Sequence, residues 1–121
     1  MSGPTRAELC AVAIAEIFRG DGETLVSPIG NLPSMGARLA KLTFEPDLLL
    51  TDGVASLLAN VPPLGAGEGW KPIVEGWMPY RTIFDVLWSG RRHVVMGATQ
   101  VDRFGNQNIA CIGRFEKPKA Q

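Results

Sequence analysis

Helix-like and strand-like segments alternate along this sequence, and the alternation restricts the fold more than any other feature. Apolar residues at helical spacing follow three residues that suit a helix start: Thr5, Pro33 and Pro79. Short apolar runs typical of strands lie at 24–26, 48–50 and 93–96. Such alternation predicts an α/β fold with an open, mostly parallel sheet and flanking helices. The length predicts a single domain over residues 1–121.

Local signals predict the ends and buried faces of these helices. Thr5 and Glu8 fit a capping box, because a hydroxyl at the N-cap is followed three residues later by a carboxylate. The first helix carries a broad apolar face, and the third helix is expected to turn Trp88 into the core. Both cysteines, Cys10 and Cys111, are expected to be small buried hydrophobic residues.

Charge and composition exclude several classes of function. Lys and Arg number 12 and so do Asp and Glu, so no overall field attracts the chain to nucleic acid or to an anionic membrane. The single histidine, His93, and two cysteines are too few for an ordinary metal site. No apolar run approaches the ~20 residues of a membrane span, and no signal segment opens the sequence. The sequence therefore predicts a cytoplasmic protein with no metal, nucleic-acid or membrane ligand.

Three polar stretches follow the predicted strands: Ser27–Ser34, Thr51–Gly53 and Gly97–Asn108. The carboxyl ends of parallel strands meet at one edge of a sheet, and ligands of α/β proteins bind at that edge. We therefore expect the three stretches to converge on a ligand site.

The first stretch leads from a strand into a helix. Backbone N–H groups at a helix start, beside Gly30, Asn31 and Ser34, form a cradle for a carbonyl oxygen or a phosphate. The alternative is an ordinary strand-to-helix turn.

Residues 61–79 are rich in glycine and proline and predict a long irregular crossing segment, which in compact domains is usually functional or mobile. Within it, Trp77 is a candidate for lining an apolar pocket. Glu75 is interpreted as a solvated loop carboxylate rather than a site residue.

Three strings carry a resemblance to the β chain of family I CoA-transferases, closest to the glutaconate type: "SPIGNLPSMGARLA", "LLLTDG" and "IFDVLWSGRRHVVMGATQVDRFGNQNIACIG". The resemblance implies a CoA-transferase-like α chain as partner and an acyl-CoA substrate, with no separate cofactor. It also implies that Gln100 faces the site while Asp102 and Asn106 brace the turn that follows. Alternatively, Asn106 and Asn108 only stabilise that turn.

The sequence departs from the family at its nucleophile. Transferases of this family carry a β-chain glutamate that attacks the thioester, and Thr51 stands at the matching position. Asp52 is one residue away, so its side chain leaves the strand in the opposite sense. The alternative hypothesis is a working transferase in which Asp52 is the nucleophile.

A hydrolase branch of the family lacks this glutamate, and "GRRHVVMGA" and "GNQNI" resemble that branch. It acts in actinobacterial cholesterol catabolism. The resemblance implies hydrolytic opening of the last steroid ring of a CoA thioester by an α2β2 heterotetramer, with a glutamate of the α chain as general base. Arg91 and Arg92 are candidates for a CoA phosphate contact, or simply for cations at a helix C-terminus.

The length is a second departure, because β chains of this family run considerably further. The sequence is therefore interpreted as an N-terminal fragment. A hypothesis of a different class is a non-catalytic, ligand-sensing module, because related α/β folds serve as effector domains.

Overall fold

A computed structural model describes residues 3–53, 55–65 and 69–120. Three helices and nine strands follow one another in these ranges. They are α1 (Arg6–Ile17), β1 (Leu25–Ile29), α2 (Asn31–Thr43), β2 (Leu50–Thr51), β3 (Ser56–Leu58), β4 (Val74–Trp77), α3 (Tyr80–Trp88), β5 (Arg92–Met96), β6 (Gln100–Val101), β7 (Gln107–Asn108), β8 (Ile112–Arg114) and β9 (Lys117–Ala120). The predicted α/β class is confirmed.

The described strands form four separate sheets, and one of them, β1–β5, is parallel. Strand β1 pairs in parallel with β5, from Leu25 opposite Arg92 to Ile29 opposite Met96. On the other side of β1, Leu25 forms a parallel bridge with Leu49. The remaining pairs are antiparallel: β2–β3–β4, β6–β7 and β8–β9. Among the described strands, parallel pairing is therefore limited to β1–β5 and the bridge at Leu49.

Strand β4 was not predicted, because the sequence indicated an irregular segment there. Residues 66–68 of that segment lie outside the described residues. The strand pairs with β3, with Trp77 opposite Ser56 and Gly76 opposite Leu57, and the register shifts beyond Leu57. Its neighbours along the chain carry no alternating pattern, so only pairing with a distant segment defines it.

The core lies between α1, α2, β1 and the segment 48–50. Phe18, Val26 and Leu48 are completely buried there. Helix α1 begins at the predicted capping box: the Glu8 N–H donates to Thr5 Oγ1 at 3.3 Å, and the Thr5 N–H donates to Glu8 Oε2 at 2.6 Å. A single residue, Gly30, connects β1 to α2, and its φ of 105° is one that glycine adopts without strain.

Three predictions of burial are wrong. Cys10 is exposed, Cys111 is only half-buried, and 88% of Trp88 is exposed. Helix α1 meets α2 through a narrow strip of small residues, including Ala11 and Ala15, so residues at the margin of its apolar face stay outside. Helix α3 buries no residue completely, and Trp88 is its last residue.

Helices in the described part of the chain are short, at 13 residues or fewer, and none is long and apolar enough to cross a membrane.

Candidate functional site

A cleft of about 670 Å³ opens at the carboxyl ends of β1 and β2. This volume lies within the usual range for small-molecule sites. Its apolar lining includes Ile29, Leu50, Leu58, Trp70, Met78 and Ile83. Its polar and charged lining includes Ser27, Ser34, Arg38, Thr51, Asp52 and Arg92. The cleft therefore combines an apolar wall with a few polar groups, as ligand sites commonly do.

The first polar stretch contributes only part of what was expected of it. Ser27 and Ser34 line the cleft, whereas Gly30 and Asn31 are exposed and outside its lining. The Ser34 N–H already donates to Gly30 O at 3.1 Å, and Pro33 has no N–H. A backbone cradle at this helix start is thus limited to the N–H groups of the first two helical residues.

The second stretch forms the turn that closes β2, and all three of its residues line the cleft. The Gly53 N–H donates to Thr51 Oγ1 at 3.2 Å. Asp52 Oδ1 accepts from the N–H groups of Ala55 at 3.0 Å and Ser56 at 3.1 Å. The Asp52 carboxylate therefore holds the β2–β3 turn through its Oδ1.

Two arginines line the cleft, and one of them was missed by sequence reasoning. Arg92 Nε donates to Ser27 Oγ at 3.1 Å, and its Nη1 donates to the Ile83 carbonyl at 3.4 Å. Arg38 lies one helical turn after Ser34 on α2, and burial lowers the pKa of its guanidinium. The i, i+4 spacing of Ser34 and Arg38 is the signal that could have revealed it.

The third stretch forms the β6–β7 hairpin and does not line the cleft. Asp102 Oδ1 accepts from the Phe104 N–H at 2.8 Å and the Asn106 N–H at 2.9 Å, and Oδ2 accepts from Asn106 Nδ2 at 2.9 Å. The predicted bracing of the turn is confirmed. Gln100 was expected to face the site, but its side-chain oxygen accepts from Asn108 Nδ2 at 2.8 Å within the hairpin.

Comparison with known proteins gives strong matches over almost the whole chain. The chain is 59% identical to the "Cholesterol ring-cleaving hydrolase IpdB subunit" of Mycobacterium tuberculosis (strain ATCC 25618 / H37Rv) over 117 residues, 97% of this chain and 46% of that protein. The crystal structure of Rhodococcus jostii RHA1 IpdAB matches with a TM-score of 0.84 and 56% identity, over 99% of this chain and 47% of that chain.

The chain is a close homologue of the IpdB subunit. It is also 37% identical to a 3-oxoadipate CoA-transferase subunit of Pseudomonas knackmussii over 126 residues, 100% of this chain and 48% of that protein. The resemblance to CoA-transferase β chains is therefore confirmed. No profile of a known protein family matches the sequence. The chain spans about half the length of the curated relatives it matches.

Two further candidate side chains lie away from the main cleft. Trp77 is 72% exposed and lines a second cavity of about 300 Å³, together with Arg91 and Thr82. Glu75 is an exposed residue of β4 and lines neither cavity. Within residues 3–53, 55–65 and 69–120, no three His, Cys, Asp or Glu side chains come together to hold a metal ion.

Hydrogen bonds from Asn106, Phe104 and Gly105 lower the pKa of Asp102 below its ordinary value. A depressed folded-state pKa means that this carboxylate stabilises the hairpin above the unfolded pKa of about 3.9 and stops doing so as the pH falls through the lower folded value.

We expect NMR titration of the Asp102 carboxyl to give a pKa below that of the urea-unfolded chain, and Asn106→Ala to raise it. Asn108→Ala is the matched control, because Asn108 bonds to Gln100 and Cys111. An unchanged Asp102 pKa in Asn106→Ala would contradict this assignment.

Proposed function

We propose that this chain is the β component of a CoA-thioester hydrolase that opens the last ring of a steroid-derived substrate. Its partner would be a CoA-transferase-like α chain, in an α2β2 heterotetramer. The observation that carries the proposal is the end of β2 in the cleft. There Thr51 stands where transferases of this family place a glutamate, and Asp52 is committed to two backbone N–H groups. The similarity to proteins named as ring-cleaving hydrolase subunits supports the same conclusion.

The proposed reaction adds one water across a carbon–carbon bond beside a ring carbonyl. The carbonyl carbon takes the water oxygen and becomes a carboxylic acid, which releases its proton to solvent as a carboxylate, and the other carbon of the broken bond takes the second proton of the water. The general base that activates the water would be a glutamate of the α chain. This chain would supply the apolar wall that holds the ring, with Ile29, Leu58 and Met78, and a small polar group at Thr51 that leaves room for water.

The proposal is tested on the complex rather than on the isolated chain. The chain is co-expressed with its α partner, and the purified complex is assayed for opening of ring-bearing CoA thioesters. Parallel samples are incubated with acyl-CoA and then treated with hydroxylamine or borohydride, which attack a carboxyl thioester intermediate. We expect ring opening without inactivation. Inactivation through trapping on Asp52 would overturn the proposal.

A CoA transferase is the second candidate, because a relative named as a CoA-transferase subunit is 37% identical. In that case Asp52 would attack the thioester. Its Oδ1 would first have to give up the hydrogen bonds from Ala55 and Ser56. The trapping experiment separates the two candidates.

Replacing Thr51 by alanine tests whether this side chain acts chemically. The hydroxyl accepts one hydrogen bond, from the Gly53 N–H. We expect Thr51→Ala to lower kcat/KM for ring opening by about fivefold, equivalent to one hydrogen bond of ~1 kcal/mol. Thr51→Ser, which keeps the hydroxyl, should stay close to the wild-type rate. A loss of about a thousandfold in Thr51→Ala, with folding intact, would show that Thr51 takes part in the chemistry.

A further inference from the structure

The charges that line the main cleft do not balance. Arg38 and Arg92 contribute two positive charges and Asp52 contributes one negative charge, which leaves an excess of one positive charge among lining residues that are otherwise uncharged. Oδ1 of Asp52 accepts hydrogen bonds from the N–H groups of Ala55 and Ser56, so part of its charge is already directed at the β2–β3 turn. An excess cation in a cleft of this kind favours an anionic ligand.

Arg92 is held in place before any ligand arrives. Its Nε is fixed by Ser27 on β1 and its Nη1 by the Ile83 carbonyl on α3. A guanidinium has five N–H donors, so three remain beyond these two bonds. A guanidinium whose orientation is already fixed loses little side-chain freedom on binding and presents its fork to a carboxylate or phosphate.

Arg38 carries a desolvation cost that a bound anion would offset. It is half-buried, and burial lowers the pKa of its guanidinium. It forms no hydrogen bond or ion pair with another residue of the described ranges. A charged group removed from water without a partner is unfavourable, and an opposite charge in the cleft would relieve that cost.

We infer that Arg38 and Arg92 together form a binding site for a compact oxyanion carried by the substrate. This inference rests on the proposed function, because it assigns a chemical class to the molecule that enters the same cleft. Two sources share this chemistry: a carboxylate on the acyl part of the substrate, and a phosphate of the CoA part. A carboxylate is planar and a phosphate is tetrahedral, and both present oxygen acceptors to which a guanidinium can donate two hydrogen bonds at once.

The test measures binding without turnover, in the αβ complex. The probes are cyclohexanecarboxylate, its neutral counterpart cyclohexanecarboxamide, and adenosine 3′,5′-bisphosphate. Binding is followed by calorimetry and by the fluorescence of Trp70, which lines the cleft. The variants are Arg38→Gln and Arg92→Gln. The control is Arg81→Gln, because Arg81 is an exposed arginine of α3 that lines neither cavity.

We expect at least one anionic probe to bind the wild-type complex and to lose about tenfold in affinity in each of the two cleft variants. If the cleft variants lose affinity for cyclohexanecarboxylate, the recognised anion lies on the acyl part of the substrate. If they lose affinity for the bisphosphate, it lies on CoA. The affinity for cyclohexanecarboxamide should not change in the cleft variants, and Arg81→Gln should not change the affinity for either anion. If neither anion binds, or if Arg81→Gln weakens binding as much as the cleft variants do, the inference is wrong.

Arg92→Gln also removes bonds to Ser27 and Ile83, so circular dichroism of each variant is required. Ser27→Ala provides a second route, because it frees Arg92 Nε while it keeps the charge. It should weaken anion binding less than Arg92→Gln does.

The binding test and the ring-opening assay are separate measurements, so the two proposals can fail independently. A complex that binds the anion but fails to open the ring would contradict the proposed function alone. A complex that opens the ring with unchanged affinity in Arg38→Gln and Arg92→Gln would contradict the oxyanion site alone.

Discussion

Thr51→Glu is expected to reduce ring opening by about a thousandfold, which corresponds to roughly 4 kcal/mol in the barrier. The longer side chain would place a carboxylate at the end of β2, inside the cleft where the acyl group is proposed to lie. It would also add a second negative charge next to Asp52 and compete for Arg38 and Arg92. Ring opening by the αβ complex is measured at saturating substrate.

Thr51→Gln is the matched control, because glutamine has the same shape without the charge. It should retain more activity than Thr51→Glu if charge is the main cause of the loss. The scaffold resembles that of transferases, so Thr51→Glu is also expected to acquire some exchange of CoA through a glutamyl thioester, detected by hydroxylamine. Wild-type ring opening in Thr51→Glu would contradict the proposed position of the acyl group.

Gly36→Ala is expected to lower the free energy of unfolding by about 2 kcal/mol. A Cβ at this position would lie 2.6 Å from Ile14 Cβ and 3.0 Å from the Ala11 carbonyl oxygen, so α1 and α2 would have to separate. The higher helix propensity of alanine, worth up to about 1 kcal/mol, offsets only part of the overlap. Urea unfolding followed by circular dichroism gives the change in stability.

Gly97→Ala is the control for this substitution, because a Cβ there meets nothing within 4 Å. It should leave the unfolding midpoint nearly unchanged. The overlap at position 36 involves the branched side chain of Ile14, so the double variant Ile14→Ala/Gly36→Ala should be more stable than the sum of the two single changes predicts. Simple additivity would show that the two helices are not in close contact at this point.

Sequence patterns predicted the helices and turns of this fold better than the burial of individual side chains. The capping box at Thr5 and the brace between Asp102 and Asn106 depend on residues a few positions apart, and both predictions are confirmed. The burial of Trp88 and Cys10 depends on which neighbours cover a helix, which periodicity does not specify, and both predictions are wrong.

The candidate site was predictable where it follows a strand end. Ser27, Ser34 and the turn at 51–53 lie in one cleft, as the positions of the strand ends suggested. Arg38 was missed because it lies inside helix α2, one turn beyond the polar stretch Ser27–Ser34 that was predicted to line the site. The hairpin at 100–108 was expected at the same cleft, but its polar side chains bond to one another. Motif composition identified the segment without specifying the partners of its side chains.

The single-residue connection between β1 and α2 limits how the cleft can evolve. Ser27 lies on the strand before Gly30, and Ser34 and Arg38 lie on the helix after it. One residue inserted within α2 before Ser34 would rotate Ser34, Arg38 and the buried Ala37 together by ~100° about the helix axis, away from both the cleft and the core. New specificities on this helix are therefore expected to arise by exchange of side chains rather than by insertion.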